Sequence, residues 1–199
     1  MSLGELTRAV LGVELTMGEL LEELRHSEPT VVTPSQPPIR AAAAGNEPAE
    51  NSFWIGSIGY ENFADVARFA AHLRRHGIEM MVDVRELAIS RRRGFAKTAL
   101  AAALAEEGIE YVHMRALGNP KPYRDLYKAG RVEEGRRLYE RHLAAEGGGA
   151  LRDLMAQSRE RCCAVMCVEH DRGGCHRDVV LRELKRMAGG SLTVAELAK

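Results

Sequence analysis

"FWIGSIGYENFADVARFAAHLRRHGIEMMVDVR", residues 53–85, is the stretch on which the fold turns. Two short runs, FWIGSIGY (53–60) and IEMMVDVR (78–85), flank a helical pattern. Neither run alternates apolar and polar positions as a half-solvated strand does. Each is apolar on consecutive residues, the mark of a strand covered on both faces. Between them Asn62 is placed to cap a helix with an apolar stripe at Phe63, Val66, Ala67, Ala70 and Leu73, ended by Gly77. Strand–helix–strand alternation with such strands points to a parallel sheet.

The alternation continues toward the C-terminus. RRRGF reads as a loop, AKTALAAALAEEG as a helix closed by Gly108, and IEYVHM as a third strand. Residues 115–130 read as a long loop, followed by helices from Val132 to Ala145 and over ALRDLMAQSRE. CCAVMCV is a fourth strand and residues 176–188 a helix; SLTV is either a last strand or the cap of a short helix. The expected fold is α/β, an open, mostly parallel, Rossmann-like sheet with helices on both faces.

Toward the N-terminus the pattern changes. SLGELTRAVL and TMGELLEELR repeat at an offset of 14 residues, each opening with a capping box. Residues 1–26 are therefore expected to form a short helical arm, suited to a protein partner or to self-association. Residues 27–52 carry Pro29, Pro34, Pro37, Pro38 and Pro48 among small polar residues and alanines, and read as a linker. The α/β domain is expected over 53–199.

Bulk properties narrow the function. The chain has 199 residues, 45% hydrophobic and 28% charged, with zero formal net charge. That zero divides into −5 on residues 1–52 and +5 on 53–199, which suits an anionic ligand on the main domain. No run approaches the about 18 apolar residues of a membrane helix, and no basic n-region opens the chain. The four cysteines, at 162, 163, 167 and 175, sit in one segment, as reduced thiols in a cytoplasm do. No Walker loop and no G-x-G-x-x-G is present.

In open parallel sheets ligands lie outside the carboxyl ends of the strands. Gly59 and Tyr60 follow the first strand; Asp83, Arg85, Ser90 and Arg91 follow the second. Cys167, Glu169, Cys175, His176 and Arg177 follow the fourth. Asp83 and Arg85 share a face of their strand and can also simply pair with each other. Cys162 and Cys163 start an apolar strand and read as core. Cys175, at a helix start beside His176 and Arg177, is placed to be a low-pKa thiol. The phosphatase pattern C-x5-R fails, because residue 181 is Leu. The spacing Cys167-x7-Cys175-His176 departs from the close cysteine pairs of common zinc sites, so no metal and no cofactor is assigned. Cys167 with Arg172 five residues on, and VDVRE at 82–86, look like parts of a rhodanese, without the glycines and hydroxyls that shape a persulfide loop.

Four motifs in order resemble the DUF488 family. They are Gly59-Tyr60, Asp83-Val84-Arg85, Ser90-Arg91 with the later Phe95, and CVEHDRGGCHR at 167–177. The resemblance covers roughly residues 53–188 and implies a Rossmann-like α/β domain. RRRG before Phe95 departs from the small polar or proline-bearing turn more usual there.

The leading expectation is an enzyme acting on an anionic, nucleotide-like or nucleic-acid-derived substrate. Arg85, Arg91 and Arg177 would hold the anion, with Gly59, Tyr60, Ser90 and Cys167 around it. Asp83 or Glu169 would move protons, and Cys175 with His176 would supply the nucleophile. The alternatives are a non-catalytic ligand-binding adaptor using the 2–26 arm, and a rhodanese-like sulfurtransferase.

Overall fold

The computed structural model describes residues 52–197; the arm over 1–26, and the linker as far as residue 51, lie outside the described residues. Consecutive apolar and small side chains form β1 (Phe53–Gly59), and the chain continues through α1 (Val66–Arg75), β2 (Met80–Asp83), α2 (Lys97–Glu106) and β3 (Glu110–His113). Three helices follow, α3 (Lys121–Lys128), α4 (Val132–Glu146) and α5 (Gly148–Glu160). Then come β4 (Cys163–Cys167), α6 (Arg177–Met187) and β5 (Leu192–Glu196). SLTV is thus part of a strand.

The strands lie in the order β3-β2-β4-β1-β5, and every neighbouring pair is parallel. The domain is the expected α/β sheet. β4 is its central strand. Register pairs Gly59 with Cys167 and Asp83 with Met166, so β1, β2 and β4 end almost level. That common edge carries the site.

Alternation along the strands divides the core in two. Met80, Val82, Cys163, Val165 and Cys167 pack on one face with Tyr139, Leu143, Leu154 and Val180 from α4, α5 and α6. Met81, Ala164 and Met166 pack on the other with Phe69, Leu73, Leu100 and Leu104 from α1 and α2. Cys163 is fully buried, while Cys162 is only half-buried.

Three local expectations are corrected. Asn62 does not cap α1: the Phe63 N–H donates to the Tyr60 carbonyl at 3.1 Å, which places Asn62 inside a tight turn. The cap is Asp65, whose Oδ1 accepts from the Arg68 N–H at 2.8 Å. The later start also shifts the helix's inner face to Phe69, Ala70, His72 and Leu73; Ala67 is exposed, and Phe63 packs edge-on against Phe69 from the turn. Residues 115–130 are not a continuous loop. They form a 3-10 turn (Arg115–Leu117) and then α3, where Pro122 sits in a first turn that needs no N–H from it.

Candidate functional site

A cavity of about 610 Å³ opens at the carboxyl edge. Its floor comes from the end of β4 and the start of α6. Cys167 finishes β4, and the following loop returns through a turn in which the Cys175 N–H donates to the Arg172 carbonyl at 2.9 Å. His176 then caps α6. The two sulfurs and the imidazole meet there: Cys167 Sγ lies 3.8 Å and Cys175 Sγ 3.9 Å from His176 Nδ1. The Cys175 thiol donates to Glu169 Oε2 at 3.0 Å. All three of Cys167, Cys175 and His176 are buried, yet all line the cavity.

The tautomer of His176 follows from its far side. Nε2 lies 2.8 Å from the Val84 carbonyl, which only accepts, so Nε2 carries the hydrogen and Nδ1 faces the sulfurs. Cys167 sits at the centre of the cluster's electrostatics. The Cys175 thiol bonding to it, together with the His176 ring, holds Cys167 well below the usual thiol range against the effect of burial. Burial, and then the Cys167 charge, push Cys175 up. Burial opposes charge on His176, but Cys167 outweighs it and raises the imidazole. Burial and Cys167 raise Glu169 as well.

Arg177 has a different task. Its guanidinium is fully buried, with Nε on Ser57 Oγ at 2.9 Å, Nη1 on the Glu169 carbonyl at 3.0 Å and Nη2 on the His170 carbonyl at 3.3 Å. It ties the β4–α6 loop to β1 and does not line the cavity. Gly59 supports the same junction. A Cβ there would stand 1.8 Å from the Glu169 carbonyl oxygen, so only glycine lets the loop approach β1.

The wall after β2 is built around another buried arginine. Arg85 binds Asp83 through both carboxylate oxygens and extends Nη1 to Tyr60 Oη at 3.3 Å and the Phe95 carbonyl at 3.1 Å. Tyr60 stacks on Phe95 with centroids 4.5 Å apart and donates to Ser90 Oγ at 3.2 Å. Arg92 reaches back to the carbonyls of Tyr60, Glu61 and Phe63. Two arginines therefore hold the 86–95 loop against the end of β1. Asp83 is wholly buried, also accepts from Tyr111 Oη at 2.6 Å, and does not line the cavity.

Tyr60, Arg85, Ser90, Arg91, Cys167, Glu169, Cys175 and His176 are thus brought to one cavity, whereas Gly59, Asp83 and Arg177 stand behind it. A further wall, from a segment the sequence reading treats as a loop, completes the cavity. Asn119, Arg124, Tyr127 and Lys128 line it from α3 and the turn before it. The usable signal was position alone, since this segment follows a strand's carboxyl end. Arg124 pairs with Glu86 at 2.9 Å. Arg91 and Lys128 have no ion pair or side-chain hydrogen bond among the described residues, and both stand exposed at the mouth.

No curated protein and no solved structure matches the chain. The family model described as "Domain of unknown function DUF488" matches residues 65–184, more than half of the 199 residues and a span holding every wall of the cavity except Tyr60. The chain belongs to the DUF488 family.

Proposed function

We propose that this protein is an enzyme acting on an anionic, nucleotide-like substrate bound at the carboxyl edge of the sheet. One observation carries the reading: the cluster of Cys167, Glu169, Cys175 and His176 forms the floor of a cavity whose mouth holds Arg91 and Lys128, two exposed cations with no ion pair among the described residues. A volume of about 610 Å³ suits a nucleotide-sized ligand. Leu87 and Ile89, 49% and 73% exposed, add an apolar rim of the kind a planar ring covers. In this reading Glu169 moves protons, Arg91 and Lys128 receive the anion, and Asp83, Arg85 and Arg177 hold the walls.

No contact favours the sulfurtransferase alternative, because Arg172 is engaged by Glu196 at 2.5 Å and Asp178 at 3.1 Å. The adaptor alternative rests on the arm, outside the described residues.

The test is calorimetric titration of the full chain with adenosine 5′-monophosphate and with pyrophosphate, followed by mass-spectrometric screening of a nucleotide panel for conversion. R91A/K128A is expected to weaken binding at least tenfold and to flatten its salt dependence. E169Q is expected to abolish conversion while keeping the fold. Absence of binding in the wild type, or affinity unchanged in R91A/K128A, overturns the reading.

A further inference from the structure

We propose that Cys167, Cys175 and His176 together hold one divalent ion of the zinc class, through two thiolates and Nδ1. This gives the floor of the cavity its chemistry, and it depends on the proposed function only for the identity of the substrate. The three ligand atoms lie within 4.8 Å of one another, the one such buried group among the described residues. Sequence spacing counts against a zinc site, but spacing matters only when ligands share one local loop. Here a strand end and a helix start supply them from opposite sides of a loop, and the fold closes the distance.

Three features favour an ion over a thiol–imidazole contact alone. The first is separation. Around a tetrahedral ion, a sulfur at about 2.3 Å and a nitrogen at about 2.0 Å stand about 3.5 Å apart. The sulfurs lie 3.8 and 3.9 Å from Nδ1, long for hydrogen bonds and a few tenths of an ångström outside a shared ion. The second is the imidazole's outer bond. A ligating histidine typically donates its other N–H to a carbonyl or carboxylate, which fixes its tautomer and aim. Nε2 does this at 2.8 Å to Val84, leaving Nδ1 turned to both sulfurs. The third is coordination number. Three protein ligands facing a cavity leave one position open, as catalytic rather than structural sites do. Two thiolates and an imidazole are the soft-to-borderline set that selects zinc over magnesium or calcium.

Glu169 completes the arrangement. Its carboxylate lines the cavity and lies 3.0 Å from Cys175 Sγ, whose proton would leave when the thiolate binds the ion. A water on the ion would give a proton to the Glu169 carboxylate. The resulting hydroxide would add its electron pair to an electrophilic carbon or phosphorus of the substrate. As the bond to the leaving group breaks, Glu169 returns the proton to it, so one water is consumed per bond cleaved. The same donor set with a non-ligating glutamate serves hydrolytic deamination of nucleobases, which fits a nucleotide-like ligand.

The full chain, purified under reducing conditions without chelator, is expected to carry close to one zinc ion per molecule by elemental analysis. Replacement by cobalt should give thiolate-to-cobalt charge-transfer bands and the visible bands of a tetrahedral ion. C167S, C175S and H176Q should lose them; C162S should keep them; E169Q should keep the ion while losing conversion. A wild-type chain that takes up neither zinc nor cobalt from excess, or a C175S chain with an unchanged cobalt spectrum, overturns the proposal. Where triad variants fail to fold, the wild-type and C162S spectra decide alone: bands without thiolate character overturn it as surely as no bands. Nucleotide binding by ion-free protein separates the two readings. Binding without metal uptake defeats this inference only, and metal uptake without nucleotide binding defeats the proposed function only.

Discussion

The Arg85 guanidinium holds both carboxylate oxygens of Asp83, with Nη2 at 2.6 Å from Oδ2, in a place where Asp83 is 0% and Arg85 5% exposed. Burial opposes charge on Arg85, but Asp83 and Tyr60 raise it above its ordinary range, so the pair is ionic. Removing one partner strands the other charge in the core. R85M is expected to cost about 3–5 kcal/mol, and D83L/R85M less than R85M alone. R85K should not rescue, because an ammonium cannot span two oxygens while also reaching Tyr60 and Phe95. Urea denaturation checks all three; equal stability of R85K and wild type would refute the assignment.

Gly59 should tolerate no side chain. G59A puts a methyl into the Glu169 carbonyl, so the backbone of the β4–α6 loop must retreat. A loss of about 1–3 kcal/mol is expected, with a shift of the Glu169 and His170 amide resonances. A wild-type melting temperature and unperturbed amide spectrum would contradict the close approach.

Two tyrosines offer a contrast. Tyr139 Oη donates to the Leu117 carbonyl at 2.6 Å, both buried, whereas Tyr127 Oη is buried without a hydrogen-bond partner among the described residues. Y139F should destabilise by about 1–3 kcal/mol, since it orphans a carbonyl. Y127F should be neutral or stabilising, because it removes a hydroxyl that burial left unpaired. Thermal melts of the two variants side by side decide it, and a reversed order would exclude the hydrogen-bond account.

Stability at high pH depends on Tyr111. Burial, and then the Asp83 carboxylate that its hydroxyl contacts at 2.6 Å, raise its pKa above the ordinary tyrosine value. The unfolded chain therefore releases this proton first, at about pH 10. The contribution is fully present below that pH and is lost as pH rises through the higher folded value. The urea midpoint of the wild type should fall more steeply above about pH 10 than that of Y111F. Parallel curves would show that Tyr111 ionises alike in both states.

The fold was readable where apolar residues run without interruption. FWIGSIG, MMVD and CAVMC are buried on both faces, and that pattern admits little besides a covered parallel sheet. Strand order was not readable, because the placement of β4 between β1 and β2 is a long-range choice with no local signature. The placement of the candidate site was readable through the rule that ligands gather at carboxyl ends, since Cys167, Cys175, His176 and Tyr60 line one cavity there. Side-chain direction was less accessible. Asp83 and Arg177 sit at the right strand and helix ends but turn inward to salt-bridge and carbonyl partners. α3 is hard to read in the sequence because it is only eight residues long, and its stripe of Tyr123, Leu126 and Tyr127 fills barely one turn, too little for a period to register.

The central position of β4 has a consequence for synthesis. β1, β2 and β3 leave the ribosome first, yet β1 and β2 are not neighbours; each pairs with β4 instead. Until residue 167 has emerged, the nascent sheet has a gap of one strand, with two unpaired edges facing it. Such edges invite pairing with other chains and delay folding until a distant segment arrives. Closing that gap brings Cys167 level with Gly59, and a few residues later α6 delivers Cys175 and His176. The last central piece of the scaffold to be translated thus also completes the cavity floor. A truncated chain ending before β4 would have neither a closed sheet nor the cavity, and would leave both facing edges exposed.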